Sequence, residues 1–150
     1  MSHDIEASIP HRAPFLLLDE ILELGADSVR AAYTPRADDE LGSRIYSGHY
    51  PGNPMTPGVL LVEIILQAAA VLAGEIVKNE SLAGVPMVTR LRDVKFKNVV
   101  PPGAELEIKV RLTERLANAF FMKGSIAVGG KTAVQAEFAV ALAEAGTSGS

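Results

Sequence analysis

A chain of 150 residues and 15.9 kDa has room for one hydrophobic core and not comfortably for two. With 48% hydrophobic and 21% charged residues it is neither a disordered nor a collagen-like sequence, and a net charge of −4 argues against nucleic acid as a partner. Cysteine is absent, which excludes a disulfide framework, a thiol nucleophile and a cysteine-ligated metal, and suits a reducing compartment.

The opening MSHDIEASIPHR carries acidic residues and no apolar core, so it reads as neither a signal peptide nor a transit sequence, and a cytoplasmic location is the expectation. Residues 1–8, with His3, and 144–150 are expected to be mobile ends. The first strong apolar run, residues 15–24, is followed after a Gly25-Ala26-Asp27 turn by a looser alternating pattern over 28–33, and the two read as a strand pair. Residues 35–58 are rich in Pro, Gly, Asp and Ser, which predicts a structured but irregular loop, because prolines remove donors and fix the backbone. Thr56 then offers an N-cap hydroxyl and Pro57 a first helical residue, and the apolar segment 59–73 extends into a helix ending between Lys78 and Gly84. Being apolar on nearly every face, that helix is expected to be buried inside the domain. A membrane span is not expected, since its uninterrupted apolar stretches fall short of about 18 residues and Glu63 interrupts them.

Beyond the helix the period changes to two. In Glu105 through Leu112 every even position is apolar and every odd one charged, so one face packs inward and the other meets water. Similar strands fit residues 88–99, 119–128 and 132–142, joined at Pro101-Pro102-Gly103, near Ala117-Asn118 and at Gly129-Gly130. The sum is a single α+β domain over 1–150, its core at 9–142: an antiparallel sheet of about six strands curled around one apolar helix.

Two polar residues, Glu63 and Gln67, stand within the apolar segment 59–73, and their i, i+4 spacing stacks them on one helical face. Burial disfavours an ionised, unpaired carboxylate, and an acid kept protonated is a proton donor. His49 lies just upstream in the Pro/Gly-braced segment Gly48-His49-Tyr50-Pro51-Gly52, where restricted motion suits a catalytic base. The amides at the start of the helix can polarise a carbonyl oxygen and favour a neutral imidazole nearby.

The segment His49-Tyr50-Pro51-Gly52-Asn53-Pro54-Met55-Thr56-Pro57-Gly58-Val59-Leu60, followed by Glu63 and Gln67, resembles the active-site signature of β-hydroxyacyl-acyl carrier protein dehydratases of the FabZ type. That type has glutamate fourteen residues after the histidine, where the isomerising relatives have aspartate. The segments from Pro10 to Asp19, Lys95-Phe96-Lys97 and Val100-Pro101-Pro102-Gly103 resemble the same family, so the likeness spans about residues 9 to 142. It implies the hotdog fold, in which a sheet wraps a long central helix, and a dimer with two interfacial sites, His49 of one protomer facing Glu63 of the other, often built into a trimer of dimers. It implies further that His49 removes the α-proton of a 3-hydroxyacyl thioester and Glu63 protonates the departing hydroxyl. The Gly58 amide would hold the thioester carbonyl and Gln67 would order Glu63 or a water. The implied partner is an acyl carrier protein with its phosphopantetheine-linked chain, and no metal or other cofactor is required.

Other residues are open to two readings. His11 and Arg12 fit a site role or a backbone-pinning one. Arg90, Arg92, Lys95 and Lys97 concentrate positive charge where an acidic carrier could dock, or form a solvated strand face. Met87, Phe96, Phe120 and Phe121 could line an acyl tunnel or simply fill the core. Tyr50 stands where the family commonly has phenylalanine, and Met55-Thr56 where it has valine-methionine, which points to a specialised pathway as much as to housekeeping lipid synthesis. An acyl thioesterase using Glu63 to activate water, and a non-catalytic thioester-binding subunit, are the competing functions.

Overall fold

The computed structural model describes residues 4–144. In chain order these form α1 (Ile5–Ser8), β1 (Glu20–Leu24), β2 (Ser28–Tyr33), α2 (Glu40–Ile45), α3 (Gly58–Asn79), β3 (Val85–Phe96), β4 (Leu106–Leu116), β5 (Ala119–Val128) and β6 (Lys131–Ala143). The strands make one antiparallel sheet in the order β1-β2-β4-β5-β6-β3, packed on α3. This is the hotdog arrangement that the resemblance implies.

Alternation sets the register. Leu106, Ile108 and Val110 of β4 are buried and pair with Tyr33, Ala31 and Val29 of β2, while Glu107, Lys109 and Arg111 point away from the helix. Against that inner face α3 lays Leu61, Ile64, Ile65, Ala68, Val71 and Leu72, all nearly inaccessible. Each large aliphatic in this set contributes about 1.5–3 kcal/mol through burial. By length and hydropathy α3 could also cross a membrane, but 61% of its most apolar window is buried within this chain. The helix is not buried all round, since Val59 is 75% exposed at its first turn.

Gly124 of β5 allows the close approach of sheet and helix. A Cβ there would lie 2.3 Å from Ile65 Cγ2 and 3.3 Å from Val110 Cγ2. Gly124→Val is therefore expected to destabilise the fold by about 1–3 kcal/mol through overpacking. A urea midpoint that falls at constant m-value would show it.

Three expectations need correction. The run 15–24 is a strand only from Glu20, because the backbone at Phe15 and Leu17 bonds to the Gln67 side chain instead of to a neighbouring strand. The loop 35–58 contains α2, capped by Asp39, whose carboxylate accepts from the Gly42 amide at 2.7 Å. Gly42 itself admits no side chain, since a Cβ would collide with the Arg36 carbonyl. Thr56 does not cap α3, because its hydroxyl is taken by Tyr46; Pro57 occupies the N-cap, without a side-chain bond. In the segment before residue 9, Ile5–Ser8 form one helical turn capped by Asp4. His3 and most of the expected C-terminal tail lie outside the described residues.

The two sheet edges differ. β1 is a five-residue strand with exposed Glu20 and Glu23, which discourages pairing. β3 is twelve residues long and contains no buried residue, and Val85, Met87, Val88, Leu91 and Phe96 along it are all exposed.

Candidate active site

The loop between α2 and α3 is tied at both ends. Tyr46 at the C-terminus of α2 shares a buried 2.6 Å hydrogen bond with the Thr56 hydroxyl, and the Thr56 amide donates to the Val100 carbonyl at 2.7 Å. Burial raises the Tyr46 phenol above its ordinary pKa, so it remains an O–H group in this bond. The neighbouring Tyr33 is pushed further, to about 12, by burial and then by the nearby carboxylates of Asp39 and Asp19.

Within this braced loop, His49 Nδ1 lies 2.8 Å from the Met55 carbonyl. A carbonyl only accepts, so Nδ1 carries a proton, and in the neutral ring the lone pair is on Nε2. The loop thus fixes both the tautomer and the ring direction of a potential base. Tyr50 takes a left-handed backbone, φ 57°, its carbonyl accepts from the Asn53 amide at 3.0 Å, and its ring meets the His49 ring edge-on at 4.8 Å. Such a conformation costs a non-glycine residue about 1–2 kcal/mol, which the tied loop ends sustain.

At the start of α3 the amides of Leu60 and Leu61 bond to the Pro57 carbonyl, which leaves the Gly58 and Val59 amides ahead of the first helical bonds and uncapped. The positive end of the helix therefore carries no side-chain cap. The Phe96 ring lies against this turn: a Cβ at Gly58 would stand 2.6 Å from its Cε1, so a larger residue here would require that exposed ring to shift.

About two and a half turns along α3, Gln67 is fully buried and makes three hydrogen bonds. Its Oε1 accepts from the Leu17 amide at 2.8 Å, while Nε2 donates to the Phe15 carbonyl at 2.8 Å and to Glu63 Oε2 at 2.9 Å. The two backbone groups dictate which end of the amide is oxygen, so the N–H that reaches Glu63 is determined as well. Glu63 is less enclosed than its apolar neighbours suggest, with a quarter of its side chain accessible in the single chain. Its Oε2 also faces His11 Nε2 at 3.7 Å. Among the described residues no hydrogen bond or ion pair joins His49 to Glu63: the contacts of His49 are Met55 and Tyr50, and the polar contacts of Glu63 are Gln67 and His11.

Gln67→Leu is expected to leave the Leu17 N–H and Phe15 C=O without partners at a cost of about 1–3 kcal/mol each, and to release Glu63. A lowered melting temperature together with lost turnover would register both effects; an unchanged melting temperature would contradict this reading of the amide.

Arg12 is a backbone-pinning residue, donating to the carbonyls of Ile9, His11 and Glu6. Arg90, Arg92, Lys95 and Lys97 are all exposed: Lys95 lines a groove on the outer sheet face with Asp93, Arg111 and Lys123, and Arg92 reaches toward that Asp93 at 4.0 Å. Phe120 is core, 1% exposed beneath Arg115, whereas Met87 and Phe96 lie open on and beside β3. The carbonyls of Phe15 and Met55 and the amide of Leu17 are site components that carry no side-chain signature.

Comparison with known proteins decides the family, since a model described as the FabA-like domain matches residues 9–137. The chain belongs to the FabA-like domain family. Among its FabA-like relatives, the 3-hydroxyacyl-[acyl-carrier-protein] dehydratase FabZ of Rhizorhabdus wittichii is 34% identical over 140 residues, covering 93% of this chain and 87% of its own. The FabZ of Symbiobacterium thermophilum is 35% identical over 140 residues, covering 93% and 94%. Among solved structures, the dehydratase heterocomplex ApeI:P from Xenorhabdus doucetiae superposes with a TM-score of 0.77 at 21% identity, covering 94% of this chain and 91% of that one, a likeness of fold.

Proposed function

We propose that this chain dehydrates a 3-hydroxyacyl thioester carried on an acyl carrier protein, giving the trans-2-enoyl thioester, in the cytoplasm. The observation that carries this reading is the contrast between two prepared groups. His49 is held through Nδ1 by the Met55 carbonyl, which leaves Nε2 as the lone-pair nitrogen of a neutral ring, and Glu63 is held through Oε2 with no partner on Oε1 among the described residues. The first is arranged to take a proton and the second to give one. The FabZ relatives, which bear the dehydratase name, are similar over 93% of this chain, a span that includes both residues.

In the proposed reaction the uncapped Gly58 amide donates to the thioester carbonyl, where negative charge develops as the α-C–H bond breaks. Nε2 of His49 accepts that proton. The electron pair forms the Cα=Cβ bond, the Cβ–O bond breaks, and the proton of Glu63 leaves with the hydroxyl as water. The same groups run in reverse hydrate an enoyl thioester.

The active unit is proposed to be a dimer formed along β3. Its long unprotected edge carries five exposed large apolar residues, and within one chain His49 and Glu63 do not meet. Pairing of two copies would bring His49 of one toward Glu63 of the other. Arg90, Arg92 and Lys97, exposed on and just beyond this edge, would face an acidic carrier approaching the shared site.

Incubation with a 3-hydroxyacyl thioester and, separately, with its enoyl counterpart tests the reaction. Interconversion of the two without free-thiol release is the expected result. Thiol release without interconversion would make the chain a thioesterase, and neither reaction across a range of carrier-linked chains would make it a binding subunit.

A further inference from the structure

His11 faces Glu63 and neither the proposed base nor the proposed acid chemistry uses it. Its Nε2 stands 3.7 Å from Glu63 Oε2, its ring stacks on Phe15 at 6.1 Å with a 21° interplanar angle, and its Nδ1 is buried with no hydrogen-bond partner among the described residues. A buried lone pair without a donor is tolerated more readily than a buried N–H without an acceptor. Nδ1 is therefore the bare nitrogen, and the ring proton sits on Nε2, directed to the Glu63 carboxyl. Gln67 Nε2 already donates to the same oxygen.

We infer that His11 is a positioning residue that, as a neutral Nε2–H donor, acts with Gln67 to make Oε2 the accepting oxygen of Glu63 and so confines the transferable proton to Oε1. In a protonated carboxyl the carbonyl-type oxygen is the better acceptor, so two N–H groups converging on Oε2 place the O–H at the other oxygen. The 3.7 Å separation is longer than a hydrogen bond, and such contacts tighten when substrate closes a site. The Phe15 stack and the Arg12 bond to the His11 carbonyl at 2.7 Å hold the ring ready for that movement.

This inference rests on the dehydratase reading for its consequence but not for its tautomer, and the two are tested separately. In His11→Phe the stacking surface remains and the N–H is lost; in His11→Gln the ring is lost but an amide N–H reaches toward the same oxygen. The expected result is that His11→Phe lowers kcat about 10- to 100-fold with KM little changed, and that His11→Gln retains more of kcat than His11→Phe. A purely structural ring predicts the reverse order, and Phe equal to or better than Gln would overturn the inference. On the unsubstituted protein, nitrogen-15 spectra of labelled histidine should show His11 protonated at Nε2 and bare at Nδ1. Protonation at Nδ1, in a neutral or a cationic ring, would overturn it whatever the enzyme turns over. An unsubstituted protein that converts no hydroxyacyl thioester would defeat the dehydratase reading and leave the tautomer to decide this one.

Discussion

His49→Ala is expected to lower the rate of the proposed hydroxyacyl-enoyl interconversion by about 10²- to 10⁴-fold, the range that a positioned acid or base contributes, and Glu63→Gln is expected to do the same. Neither substitution should unfold the protein. His49 is partly exposed and its ring makes one backbone bond, to Met55, whose loss is worth about 1 kcal/mol. At position 63 the glutamine oxygen can still accept from Gln67, so the network around Leu17 and Phe15 persists while the acidic proton is gone. The two variants separate the roles. If the α-proton is exchanged with solvent deuterium before water departs, Glu63→Gln should retain some exchange at Cα, whereas His49→Ala should lose it. Full interconversion by His49→Ala would remove the histidine from the mechanism.

How much of this was legible beforehand follows the kind of physics involved. The strands β2, β5 and β6 and the helix α3 begin and end within a residue or two of their apolar patterns, because turn residues bound the strands and the helix is apolar nearly throughout. Residues 15–18 do not, although they are as apolar as a strand: their backbone partner is a side chain fifty positions away, Gln67, and no local pattern encodes it. The helix α2 was hidden for a related reason. Its Gly42 and Ser43 belong to a composition typical of turns, while the capping carboxylate of Asp39 and the steric demand of the Arg36 carbonyl on Gly42 exist only once the segment is folded.

The same division runs through the site. His49, Gly58, Glu63 and Gln67 could be singled out by type and spacing, and the structure places three bonds on Gln67 that make it the anchor of Glu63. What spacing could not convey is direction: which nitrogen of His49 is bare, which oxygen of Glu63 is occupied, and that Thr56 serves Tyr46 instead of the helix. The reach between His49 and Glu63 is also a three-dimensional matter. They are close in sequence, yet each is engaged by its own neighbours within the chain.

That separation leads to the second large effect. Mixing His49→Ala with Glu63→Gln, each inactive alone, should restore turnover if every site takes His49 from one protomer and Glu63 from the other. A two-fold axis makes the two sites of a dimer equivalent. In a mixed dimer, then, one site combines both substitutions and the other combines neither. Random exchange makes about half of the dimers mixed, and half of their sites are intact, so activity should recover to about a quarter of that of the unsubstituted protein. The recovery must require exchange: partial unfolding and refolding of the mixture should produce it, and simple addition of two stable dimers should not. Leu91→Glu, placing a charge on the exposed β3 edge, should weaken the dimer and abolish turnover together. Sites built within one chain would give no recovery at any mixing ratio, because every chain would then carry its own defect.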